Sequence, residues 1–189
     1  MAIMNREHTR TRGATLAVVE IRVANESQID HIAGLLQAAY VEYTPPPGDS
    51  KRPSWNEYYT KEMPDVRSRW SFSQHLIVVN DGRIVGTATY FPDGSHPGLH
   101  NDRWPPGYAA MRLLAVDPAE RGRGIGRALT EDCLRRASDA GREWFGLHTT
   151  ELMKTARAMY ERMGFERFPD NDIPVTETFT VVAYRLALS

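Results

Sequence analysis

The densest chemistry in the chain lies between Met111 and Arg127, MRLLAVDPAERGRGIGR. A β-prone run from Leu113 to Val116 meets a turn at Asp117-Pro118, and Arg121, Gly122, Arg123, Gly124, Ile125, Gly126 and Arg127 then open a helix. A helix start leaves about four backbone N–H groups unpaired and carries partial positive charge. Glycine lets a ligand approach the backbone closely because no Cβ stands in the way. Together they form a cradle for phosphate or pyrophosphate, in which each charge-assisted hydrogen bond contributes roughly 1.5–3 kcal/mol. Arg123 and Arg127 stand in a first turn that ordinarily favours acids, which points them toward phosphate.

Two phosphate-binding readings fail on identity. A Walker A loop needs Lys and then Ser or Thr, but Arg127 and Ala128 follow Gly126. A dinucleotide fingerprint starting at Gly122 needs glycine where Arg127 stands, and it belongs at the first strand of a parallel sheet.

Other reactive side chains divide more simply. Cys133 follows Ile125 and Leu129 at helical spacing and reads as an inert core thiol. His96 and His100 share a loop with Asp93 and Asp102, but no rigid element places them, so no metal is expected. Tyr40, Tyr43, Trp55, Tyr58 and Tyr59 flank a proline break and form either a pocket wall or plain core. Glu42, Glu57 and Asp102 are carboxylates suited to holding an ammonium group or accepting its proton.

The elements that must position these residues follow from periodicity. Strands are expected at Leu16–Val23, Leu76–Val79, Ile84–Tyr90, Ala110–Val116, Trp144–Thr149 and Phe179–Leu186, with a hairpin at Asp81-Gly82. Asn25 caps a first helix through Ile29, Ile32, Leu36 and Ala39. Trp55–Trp70 is a weaker helical pattern broken at Pro64. Further helices run over Gly124–Ala140 and Met153–Met163, each followed by glycine, and Pro92–Gly107 is a long polar loop. This order predicts one α+β domain: a mixed, mostly antiparallel sheet of six to seven strands with helices on both faces.

Composition sets the outer bounds. A chain of 189 residues suits one domain, here residues 15–189 behind a loose tail, 1–14. A net charge of -1 gives no field drawing in nucleic acid or an anionic membrane. One cysteine forbids an intrachain disulfide, and no apolar run approaches the roughly 18 residues of a membrane span. The first residues lack a secretory h-region, so a cytoplasmic protein is expected.

Arg121-x-x-Gly124-x-Gly126 after Leu-Ala-Val resembles the R/Q-x-x-G-x-G/A signature of the GNAT superfamily of N-acetyltransferases. Ala156-Arg-Ala-Met-Tyr160-Glu-Arg-Met-Gly164-Phe165 looks like that family's last helix, Ile21–Ala24 looks like its opening, and the Asp81-Gly82 hairpin is similar to its second and third strands. The correspondences run in family order over residues 16–187.

The resemblance implies a bulged strand that splays from its neighbour and admits acetyl-CoA. The pantetheine arm would pair with main chain of Leu114, Ala115 and Val116, the pyrophosphate would rest on amides from Arg121 to Arg127, and Tyr160 would protonate the leaving thiolate. It also implies acetyl transfer to a primary amine of a small molecule; a second copy, in a homodimer, is the one protein partner considered. A protein acceptor and a non-catalytic acyl-CoA sensor remain as alternatives. Two positions depart from the pattern: Ala110 stands where many relatives carry a glutamate base, and Met153 where many carry asparagine.

Overall fold

Asp81 and Gly82 take φ values of 48° and 75°, the pair of left-handed residues that a two-residue hairpin requires. They join β2 (Gln74–Asn80) to β3 (Arg83–Phe91). The computed structural model describes residues 20–43, 58–177 and 179–188. β1 (Ile21–Val23) pairs antiparallel with β2, and β4 (Tyr108–Val116) antiparallel with β3. β5 (Trp144–Thr149) runs parallel to β4, and β8 (Phe179–Ala187) runs antiparallel to β5. Two short strands, β6 (Glu166–Arg167) and β7 (Ile173–Thr176), pair with the far side of β8.

The expected mixed, mostly antiparallel α+β sheet is therefore present, with eight strands among the described residues rather than six or seven. β6 and β7 escape a reading by pattern: one has two exposed residues, the other contains Pro174, and neither shows alternation.

Asn25 receives the Ser27 N–H while Gln28 receives the Asn25 N–H, both at 3.1 Å. This capping box opens a short 3-10 turn that runs into α1 (Ile29–Tyr40). α1 buries Ile29, Ile32, Leu35, Leu36 and Ala39 against one sheet face, with Ile77, Leu113 and Ala115. α2 (Ile125–Asp139) buries Ile125, Leu129 and Cys133 on the other face, beside Tyr160 from α3 (Lys154–Arg162). The expected Trp55–Trp70 helix does not form over its described part. It breaks into a π turn, Tyr58–Glu62, and a 3-10 turn, Arg67–Arg69, because Pro64 lacks the N–H that a continuous helix needs. Residues 16–19 of the first expected strand and 55–57 of that pattern lie outside the described residues.

Two irregularities shape the centre of the sheet. Thr87 pairs with Ala115 and Thr89 with Arg112, so Ala88 alone opposes Leu113 and Leu114. This is a β-bulge, and Leu113 takes a φ of 54° within it. β4 and β5 pair only from Tyr108↔Trp144 to Met111↔Leu147, after which the strands part. The expected bulged, splayed strand is β4.

The Pro92–Gly107 loop is tied down by its own aromatic. Trp104 lies over Gly146 of β5 so closely that a Cβ there would fall 2.4 Å from the indole.

Candidate active site

The open part of β4 meets the start of α2. A Cβ placed on Gly126 would lie 3.7 Å from Leu114 Cδ2 and Val116 Cγ2 and 4.0 Å from Met159 Sδ on α3. Bulged strand, helix start and α3 thus converge on one gap. Leu114, Val116 and Ile125 face it from the α2 side, while Ala115 is buried toward α1. Gly122 and Gly124 take φ values of 79° and 80°, a region that strains any other residue. The helical ladder begins with the Ala128 N–H to Gly124 O at 2.9 Å, and no side chain caps Gly124. The preceding amides therefore keep their hydrogen-bonding capacity for a ligand.

The three arginines are engaged with acids. Arg123 meets Glu120 at 2.5 Å and Arg127 meets Glu131 at 2.7 Å. Both pairs are exposed and of a kind typically worth about 0.2–1 kcal/mol, so a pyrophosphate can compete for them. Arg121 is held more firmly, donating to Glu42 at 2.6 Å and to the carbonyl of Ala39 at 2.9 Å. Its guanidinium closes the end of α1 rather than standing free beside the glycines.

Tyr160 lies deep in the α2–α3 core, edge-on to Phe165 at 5.7 Å. Burial first, and neighbouring Cys133 second, raise the phenol well above its ordinary range, so the hydroxyl keeps its proton. Cys133 is itself fully buried with its thiol pKa raised by desolvation, which makes it the core thiol that its spacing implied. Thr150, just past β5, has a buried hydroxyl without a partner among the described residues.

On the α1 face, Tyr40 donates to the carbonyl of Leu114 at 3.0 Å, and Tyr43 meets Tyr40 edge-on at 6.1 Å. Of the proposed carboxylates, Glu42 is occupied by Arg121, Glu57 lies outside the described residues, and Asp102 pairs with Arg112 at 2.5 Å. The side chains of Trp55, Tyr58 and Tyr59 also lie outside them. His96 accepts from the Gly98 N–H at 3.1 Å and stacks on Phe72. Ala110 is fully buried, and Met153 begins α3 without a capping bond. The sequence motifs do not single out His148 on β5. Its signal was its phase, which places a polar residue on the same strand face as Trp144 and Gly146.

The family model for the acetyltransferase (GNAT) family matches residues 37–165, more than half of the chain. The chain belongs to the GNAT acetyltransferase family. Among curated relatives, a mycothiol acetyltransferase of Rhodococcus jostii is 37% identical over 92 residues, which is 48% of this chain and 25% of that protein. The chain thus spans about a quarter of the length of that relative. Among solved structures, a GNAT acetyltransferase of Brucella melitensis in complex with acetyl-CoA aligns over 90% of this chain and 88% of its own, at 20% identity and a TM-score of 0.58. The ribosomal-protein-S18-alanine N-acetyltransferase of Escherichia coli aligns over 90% and 94%, at 17% identity and a TM-score of 0.62.

Acetyl-CoA fits the family as co-substrate, and the residues of this gap suit it. Uncapped amides at Gly124–Arg127 suit a pyrophosphate, and the edge of β4 beyond Met111, which has no β5 partner, suits a pantetheine amide. No described helix is long and apolar enough to cross a membrane.

Proposed function

We propose that this GNAT acetyltransferase moves an acetyl group from acetyl-CoA to a primary amine of a small molecule, by direct attack with both reactants bound. The observation that carries the reading is the failure of β4 and β5 to stay paired beyond Met111↔Leu147, beside an uncapped glycine helix start. Acetyl-CoA supplies an activated acyl carbon and a thiolate leaving group. The chain's own residues do the rest. Amides from Arg121 to Arg127 hold the pyrophosphate, with Arg123 and Arg127 able to leave their weak surface pairs for it. Main chain from Leu114 to Val116 aligns the arm. Holding both reactants in line supplies much of the rate, up to about 7–11 kcal/mol. Tyr160, protonated across the physiological range, gives the Oη proton to the departing sulfur.

A small acceptor is favoured over a protein by the relatives named for mycothiol, although the fold also serves a ribosomal-protein acceptor in Escherichia coli. A thiol-release assay over small amines, aminoglycosides and peptides separates the readings. Turnover with small cationic amines is expected. Turnover with peptides alone would move the assignment to a protein acceptor. Tight acetyl-CoA binding with no thiol release from any acceptor would mark a sensor.

A further inference from the structure

Immediately beyond the last β4–β5 bridge, Arg112 and His148 stand on the two parting strands. Asp102 spans them, with Oδ2 2.5 Å from Arg112 Nη2 and Oδ1 3.6 Å from His148 Nδ1. The imidazole is 5% exposed, and its Nδ1 is enclosed without a hydrogen-bond partner among the described residues. Trp104 packs against the ring at 4.9 Å between centroids. The other nitrogen, Nε2, lies 2.9 Å from the backbone carbonyl of Asn171, closer than the Asn171 amide at 3.4 Å. A carbonyl can only accept, so Nε2 carries the proton and Nδ1 presents a bare lone pair toward a carboxylate. Those two atoms oppose each other until a proton arrives between them.

We propose that Asp102 and His148 together accept the proton of the incoming amine, the role that Ala110 cannot fill. The proposal rests on the acetyl-transfer reading above. Asp102 is the outward member, with its side chain 18% exposed, and its carboxylate docks the ammonium group. One nitrogen proton passes through the carboxylate to His148 Nδ1 and leaves an imidazolium–carboxylate pair. The freed lone pair forms the C–N bond as the C–S electrons leave on sulfur. The second proton lost from nitrogen restores Tyr160 after it protonates the sulfur, and His148 returns its own proton to solvent.

The surroundings suit a transient acceptor. Burial, the largest influence, lowers the His148 pKa and Arg112 lowers it further, while Asp102, the Asn171 carbonyl and Asp172 act the other way. Asp172 is itself paired with Arg167 at 2.7 Å. The ring is therefore neutral near pH 7 and charges only when a proton is delivered.

Two measurements on the full chain test this. With an amine that the wild-type protein acetylates, His148→Gln should lower kcat by about 10²–10³ and abolish the acid limb of the pH profile. Asp102→Asn should raise the acceptor KM and move that limb to lower pH, because the carboxylate raises the imidazole pKa. Acetyl-CoA affinity should be unchanged in both. Independently, ¹⁵N NMR of the wild-type imidazole at pH 7 should show Nε2 protonated and Nδ1 bare. A folded His148→Gln protein with unchanged kcat and pH profile overturns the proposal alone, as does a protonated Nδ1 at pH 7. No turnover with any amine overturns the acetyl-transfer reading and this proposal with it.

Discussion

The hydroxyl of Tyr40, the last residue of α1, donates to the carbonyl of Leu114 across 74 residues of sequence, at 3.0 Å. That carbonyl belongs to the bulge, where Leu113 holds a left-handed φ of 54°. A non-glycine residue in such a conformation costs of order 1–3 kcal/mol and persists only where its surroundings fix it. Burial of the Leu113 side chain and the Tyr40 bond provide that fixing.

Tyr40→Phe removes the bond and keeps the ring. It should cost about 0.5–1.5 kcal/mol, and the acetyl-CoA KM should rise because the β4 main chain is less firmly set. Thermal melting and steady-state kinetics check both. Unchanged values would make the hydroxyl contact incidental.

Gly126→Ala separates binding from folding. The new Cβ would meet Leu114, Val116 and Met159 at ordinary contact distances of 3.7–4.0 Å, so the helix tolerates it. Alanine in place of helical glycine should stabilise by roughly 0.5–1 kcal/mol. The same methyl enters the gap, and calorimetry should show acetyl-CoA binding weakened at least about tenfold. A stabilised protein with full affinity would place the ligand elsewhere.

Tyr160→Phe tests the proton donor. The variant keeps the ring that packs edge-on against Phe165, so folding should hardly change, whereas loss of a general acid typically costs about 10²–10⁴ in kcat. Acetyl-CoA affinity should stay the same. Near wild-type turnover with chemistry limiting would make Tyr160 a core residue only.

His75 gives a pH signature unrelated to catalysis. Its buried ring lies 3.2 Å from Ser73 Oγ and 3.3 Å from Thr89 Oγ1, stacked on Trp70. Burial, then nearby Arg69, lowers its pKa to about 4. The folded state thus binds fewer protons than the unfolded one between the ordinary value of about 6.5 and that lowered value. Stability is full above pH ~6.5 and should fall by about 3 kcal/mol as pH drops toward 4. Denaturant melts of wild type and His75→Gln should show a shallower fall in the variant. Parallel curves would refute the assignment.

What was legible in the sequence was what depends on near neighbours in the chain. Ile125, Leu129 and Cys133 announce the buried face of α2 by spacing, and Asp81-Gly82 announces its hairpin by residue type. The bulge gave no local sign, since Leu113 is an unusual residue for a left-handed φ. The guanidinium of Arg121 gives no local sign of its bond to Ala39, which depends on where α1 ends in space. His148 became visible only when the fold brought Asp102 from a distant loop to its side.

The brief β4–β5 pairing has a mechanical consequence. The sheet is two panels, β1–β4 and β5–β8, joined along a seam of parallel pairing from Met111↔Leu147 back to Tyr108↔Trp144. Under load applied across the panels, that seam is where the sheet should tear first. Asp102 lies across it just past the last rung, bonded to Arg112 on one panel and facing His148 on the other, so the seam gains a strap there only when the imidazole takes a proton.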